Sequence, residues 1–317
     1  MPDEHVTARL DDHEVVTVLG TIPATELGMT LTHEHLLMNW MKENRLNGLL
    51  ADIQLMSAEL EPFAAAGGRT VVELTSMGIG RDPQGLAEIA RRTGLNIVMG
   101  TGFYREPYLD PGFVNRKDAS AIAEWLELDI REGADGTGIR PGIIGEVGQD
   151  GPVMTAMEER TFRAAGLAQL ATGLTISTHA ARWPNGLPQL DLLDSLGVDP
   201  GRVIIGHADT VPSSDYHLEL ARRGAFVQFD TLCIAMRQPF ELDKRIEYVL
   251  RMLDAGHVDR LLLSHDVCVT DHLSVYGGGG FGYLTSTFLP ALRDHGVSDD
   301  DIDRITVQNP ARALTGA

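Results

Sequence analysis

Eight short apolar runs recur along the chain, and amphipathic stretches of helical length fill most of the gaps between them. The runs are Gly28–Leu37, Thr70–Thr75, Asn96–Thr101, Gly142–Gly148, Leu174–His179, Val203–His207, Ala225–Asp230 and Arg260–Asp266. Helical patterning falls over Gln84–Thr93, Ala119–Glu132, Glu158–Thr172, Leu187–Leu196, Asp215–Arg223 and Lys244–Ala255. Strands that alternate with helices lie parallel and are joined by right-handed crossovers. Eight such units in 317 residues predict an α/β fold, a (β/α)8 TIM barrel with some insertions. An open doubly wound sheet is the runner-up, weakened because no glycine-rich phosphate loop follows the first run. Residues 14–20 read as a further strand and Thr21–Gly28 as a turn leading back, so a short β-hairpin should precede the barrel. No linker rich in Pro, Ser or Gly splits the sequence, which leaves one domain over residues 1–317; Gly277–Gly280 falls in the loop after the eighth run.

In such barrels the active site lies at the C-terminal ends of the strands. The first run carries Thr32-His33-Glu34-His35. Residues two apart on a strand share a face, so His33 and His35 project together while Glu34 points away. Two imidazoles on one face can fill two vertices of a transition metal. Alone, a His-x-His is more often a pair of hydrogen-bonded core histidines. The other run ends change the balance. Glu146 sits within Ile143–Gly148, and later runs end at Ser177-Thr178-His179, Gly206-His207 and Ser264-His265-Asp266. A buried carboxylate is costly unless a cation is near. The candidate ligands are therefore His33, His35, Glu146, His179, His207 and Asp266, more than one zinc ion takes. They predict two divalent ions bridged by Glu146 and a hydroxide, zinc first, with manganese or cobalt also suited. Alternation turns His265 away, as a structural residue. His5, His13, His217, His257, His272 and His295 read as bystanders in loops or on helix surfaces, with His272 a partial exception.

Composition closes off other classes. A formal net charge of -19 opposes nucleic acid and anionic membrane surfaces, and no apolar run reaches membrane-spanning length. Cys233 and Cys268, the two cysteines, form neither a disulfide framework nor a thiolate cage, so any metal is held by nitrogen and oxygen. The acidic start Met1-Pro2-Asp3-Glu4-His5 lacks a signal pattern, so a cytoplasmic product is the expectation. The expected partner is a small-molecule substrate, and a homodimer is allowed.

With these residues in view, the chain resembles the phosphotriesterase-related branch of the amidohydrolase superfamily, which includes phosphotriesterase-like lactonases. The resemblance rests on Thr32-His33-Glu34-His35-Leu36 after Glu26-Leu27-Gly28, on Gly145-Glu146, His179, His207 and Ser264-His265-Asp266, and on the closing Asn309-Pro310-Ala311-Arg312. It implies a two-metal hydrolase of phosphotriesters, lactones, or related esters and amides. On that pattern His33, His35 and Asp266 hold one ion, and His179 and His207 the other. Many members bridge the ions with a carboxylated lysine and a subset with glutamate. The lysines here are Lys42, Lys117 and Lys244, none at a strand end, which leaves Glu146. The chain departs from organophosphate-degrading members at Gln228-Phe229-Asp230-Thr231-Leu232, which lacks their relay histidine; Asp209 follows His207 in uncertain register. Gly100-Thr101-Gly102-Phe103-Tyr104 is similar to lactonase relatives, whose tyrosine contacts substrate, but Thr231 stands where lactonases often carry arginine.

The chemistry expected is attack by the metal-bridging hydroxide on a carboxyl ester, most of all a lactone, with a phosphotriester or an amide as the alternative. A catalytically dead binding protein is the remote one. Asp266 would accept the proton and pass it on. Tyr104 would either steady the oxyanion or simply pack under a loop, and Arg105 would either meet an anionic substrate group or pair with a neighbour. Specificity should lie in the loops after the seventh and eighth runs, Leu232–Asp243 and Val267–Tyr283.

Overall fold

The computed structural model describes residues 13–317, so Met1–His5, and with them His5, lie outside the described residues. An antiparallel hairpin opens the chain, β1 (Glu14–Thr17) against β2 (Gly20–Pro23), shorter than expected because Val18 and Leu19 already form its turn. β3 (Met29–Glu34) is the first strand of the main sheet. A small antiparallel pair, β4 (Met38–Asn39) with β5 (Leu49–Leu50), then precedes helix Ile53–Ala65. The main sheet continues through β6 (Gly68–Glu73), β7 (Asn96–Thr101), β8 (Ile143–Gly148), β9 (Ile176–His179), β10 (Val203–Gly206), β11 (Phe226–Phe229) and β12 (Leu261–Leu263). Its eight strands follow chain order, each parallel to the next, with helices between them. This is the (β/α)8 barrel that the alternating runs predict.

Two apolar layers hold it. Val72, Val98, Ile204, Phe226 and Leu262 cluster with Val15 of the hairpin and Leu314 of helix Asn309–Thr315, filling the end of the barrel away from the site. Their neighbours Val71, Ile97, Val203, Val227 and Leu261 belong to the second layer, against Leu86, Leu126, Phe162, Leu190, Leu220 and Val249 of the surrounding helices. Such alternation is the period of a strand buried on both faces.

The seam between β12 and β3 is closed chiefly by side chains. Thr32 Oγ1 donates to Leu263 O (3.1 Å), and the His33 N–H donates to Ser264 Oγ (2.9 Å). Glu34, fully buried, accepts from Ser264 Oγ, the N–H groups of His265 and Val267, and sits 2.7 Å from His265 Nδ1. Glu34 and His265 thus face away from the barrel mouth and lock its first and last strands together.

Loops at the mouth are pinned as firmly. Thr155 and Glu158 form a capping box at helix Ala156–Thr172, and Glu158 also accepts from the N–H groups of Glu106 and Asp150. One carboxylate so anchors the loops after β7 and β8. The segment Leu232–Asp243, expected as a loop, holds a helical turn at Leu232–Ala235 and the start of helix Pro239–Asp254. His217 is no surface bystander: it is buried, with Nε2 2.9 Å from Ala208 O and 3.0 Å from Val211 O, holding the loop after β10. Among the described residues no helix is long and apolar enough to cross a membrane.

Candidate active site

The strand ends bring together all six residues singled out as ligands. His33, His35 and Glu146 have ligand atoms within 4.8 Å of one another, and so do Glu146, His179 and His207. Glu146 is central: its Oε2 lies 2.8 Å from His179 Nδ1, 3.1 Å from His207 Nε2 and 3.7 Å from His33 Nε2. Its Oε1 lies 3.8 Å from His35 Nε2. A one-residue shift in the pairing of β8 with β9, between Ile144 and Val147, sets this side chain's direction. Asp266 closes the far side, with Oδ1 3.3 Å from His35 Nε2 and 3.9 Å from His33 Nε2. His207 and Asp266 both leave their strands in the left-handed region, at φ 57 and 56, which only a well-determined surrounding sustains for residues with a Cβ.

Three of the four imidazoles are oriented from behind. Asp230 Oδ1 is 2.9 Å from His207 Nδ1 and Oδ2 is 2.9 Å from His33 Nδ1, so one buried acid turns both Nε2 atoms toward Glu146. The His207 N–H also donates to Asp230. His35 Nδ1 is 2.9 Å from Thr75 Oγ1, which donates to Glu73 Oε1 at 2.5 Å, leaving His35 Nε2 facing Asp266. Asp230 and Glu73 are residues that reading the sequence missed. The signal for Asp230 was an acid closing an apolar run, the same one that marked Asp266.

The charges test whether metal fits. Burial resists ionisation of Glu146, yet the charges of His179 and His33 hold its carboxyl well below the usual range. Burial likewise opposes a charged His33, but Asp230 and Glu146 outweigh it and raise the imidazole to about 9. His207 rises well above its ordinary value against the same burial, through Asp230. Burial lowers His179 to about 4 despite Glu146. Two buried carboxylates therefore require positive charge here, and His33 Nε2, buried and facing two acids, has no hydrogen-bond partner among the described residues. Nitrogen and oxygen donors in this arrangement fit divalent metal ions.

Beside the cluster opens a cavity of about 290 Å³, walled also by Trp40, Tyr104, Arg105, Arg182, Cys233, Cys268 and His272. His272, the partial exception among the bystanders, thus reaches the cavity. Tyr104 stands edge-on to His179, ring centroids 5.1 Å apart, and burial first, then Glu146, keeps its phenol protonated. Arg105 is largely committed: it pairs with Glu43 at 2.7 Å and with Asp150, and lies over the Tyr104 ring. Asp209, left in uncertain register, turns from the cavity to Arg245 (2.8 Å) and Thr231 Oγ1 (2.6 Å).

The model of the Phosphotriesterase family matches residues 13–314. The chain belongs to the phosphotriesterase family. It is 36% identical to a phosphotriesterase homology protein of Escherichia coli over 90% of this chain and 97% of that one. An N-acetyltaurine hydrolase of Dictyostelium discoideum is 33% identical over 90% of this chain and 80% of its own. The lactonase Lmo2620 of Listeria monocytogenes superposes with a TM-score of 0.87 at 25% identity, covering 95% of this chain and 99% of that one. Like its family, the chain is a metal-dependent hydrolase.

Proposed function

We propose that this phosphotriesterase-family member hydrolyses carboxyl-derived bonds, lactones and other carboxyl esters first. His33, His35 and Asp266 would hold one divalent ion and His179 and His207 a second, with Glu146 between them and zinc the first choice of metal. When bound, the ions supply an activated water and a Lewis acid for the scissile bond.

The protein's own groups do the rest. The Asp266 side chain is 18% exposed, against 2% for Glu146 and 0% for Asp230, so it is the acid of the cluster open to proton exchange. It is suited to accept a proton and deliver it to the leaving oxygen. Asp230 and Thr75 orient the imidazoles and touch no substrate. Tyr104 carries the choice of carboxyl over phosphoryl chemistry. A phenol that burial keeps protonated, on the cavity wall beside His179, is a donor for the oxyanion formed at a planar carbonyl. The lactonase neighbour supports an ester substrate.

An amide is the second reading, favoured by the N-acetyltaurine hydrolase relative. The same Asp266 would then protonate a departing nitrogen. A panel of lactones, small N-acyl amides and paraoxon-like triesters on metal-loaded enzyme tests the choice, with Tyr104→Phe beside wild type. Carboxyl substrates should be turned over faster than triesters, and Tyr104→Phe should lose about tenfold or more in kcat. Faster triester hydrolysis with no effect of Tyr104→Phe overturns the reading.

A further inference from the structure

The geometry points to Arg182 as a specificity-determining residue that binds an anionic group, carboxylate or sulfonate, on the substrate. The inference takes the reacting bond from the carboxyl reading above; the anionic group is argued from the cavity alone.

Apart from the proposed metal ligands, the acidic and basic side chains on the cavity wall are Arg105, Asp150, Arg182 and His272. His272 is held toward its neutral form by burial. Arg105 and Asp150 pair with each other, and Glu43 supports Arg105 from behind. Arg182 differs. It is exposed, and among the described residues its guanidinium makes neither an ion pair nor a hydrogen bond.

Its backbone is not left to chance. Arg182 sits at φ 70, a left-handed conformation that is unfavourable for a residue with a Cβ and is sustained only where the surroundings impose it. The constraint is visible: the Arg182 N–H donates to Thr210 Oγ1 at 2.7 Å, and Thr210 Oγ1 donates to His207 O at 2.7 Å. The Ala180 N–H reaches Gly206 O at 3.3 Å. The loop after β9 is thus tied to the strand end that carries His207. A free guanidinium on a fixed backbone, at the wall of the cavity that the cluster also lines, is a planar fork for a carboxylate or sulfonate. Substrate entry shields that pair from water, which strengthens it beyond an ordinary surface contact.

The test uses matched acyl compounds that differ in terminal charge: N-acetyl-β-alanine and N-acetyltaurine against N-acetyl-β-alaninamide. A lactone pair with and without a ring carboxylate forms a second arm. Calorimetric binding and kcat/KM are measured on metal-loaded wild type, Arg182→Ala and Arg182→Lys. Wild type should favour the anionic members. Arg182→Ala should weaken their binding at least tenfold more than that of the neutral members, with the loss mainly in KM and partly restored by Arg182→Lys. The better of the two N-acyl anions tells sulfonate from carboxylate. Equal losses for charged and neutral members, or no binding of any anion to wild type, overturns the inference. If anions bind through Arg182 but no carboxyl bond is cleaved, the proposed function fails and this inference stands. If neutral lactones or amides are cleaved with no preference for charge, the reverse holds.

Discussion

Asp230 illustrates how much one side chain can arrange without touching substrate. It spans His33 and His207, so its loss should loosen two proposed ligands together. Asp230→Asn should lower metal affinity about 10–100-fold, measured by titration of chelator-stripped protein. Asp266→Asn should act differently, keeping an oxygen for the metal while losing roughly two or more decades of turnover. Wild-type rates in a metal-loaded sample would remove Asp266 from proton transfer. His217 makes a prediction about pH. Burial lowers its imidazole to about 4, below the usual 6.5, so the folded chain keeps it neutral. Its contribution is complete above pH 6.5 and is lost as pH falls from 6.5 toward 4, because the unfolded chain takes up the proton first. The total is roughly 3 kcal/mol, and denaturant midpoints of His217→Gln should fall less than those of wild type across that window. At this scale the sequence was only half legible. The two-residue spacing of His33 and His35 encodes a shared face through strand geometry alone. Nothing near Asp230 in sequence announces His33, the partner it meets from the first strand of the sheet.

Among the elements, β8 is the most exacting. Its slipped register aims Glu146, and it comes so close to β7 that a Cβ on Gly100 would sit 2.2 Å from Gly145 O. That contact is with backbone and cannot be relieved by rotating a side chain. Gly100→Ala should therefore cost about 1–3 kcal/mol of stability and weaken metal binding as well, read from thermal melts and metal content together. Loss of stability with metal affinity intact would uncouple the strand spacing from the site. The strands themselves were plain in the sequence as apolar runs bounded by glycine and polar residues. Their ends were not: β10 stops at Gly206 because His207 turns left-handed, a tertiary demand that propensity does not carry.

Across the whole molecule, the barrel could be read from the strand and helix alternation, because each crossover is local in sequence. How the barrel closes could not, since Glu34 meets Ser264, His265 and Val267 across some 230 residues. The proposed metal centre spans the same gap, with His33 and His35 from the start of the sheet and Asp266 from its end. Binding to the folded state alone raises stability by mass action, about 2.7 kcal/mol at free metal one hundred times Kd. The melting temperature should rise with added metal and fall on chelation, and an unresponsive melt would argue against ligands drawn from both ends of the sheet. The side-chain seam also bears on synthesis. A nascent chain can pair β3 through β11 as they emerge, but the partners of Glu34 come last. Until then a buried acid on the first strand waits without its donors, and the half of the centre built on His33 and His35 lacks Asp266. The ribosome must therefore deliver almost the entire polypeptide before any catalytic competence exists, so a prematurely terminated product would be inert.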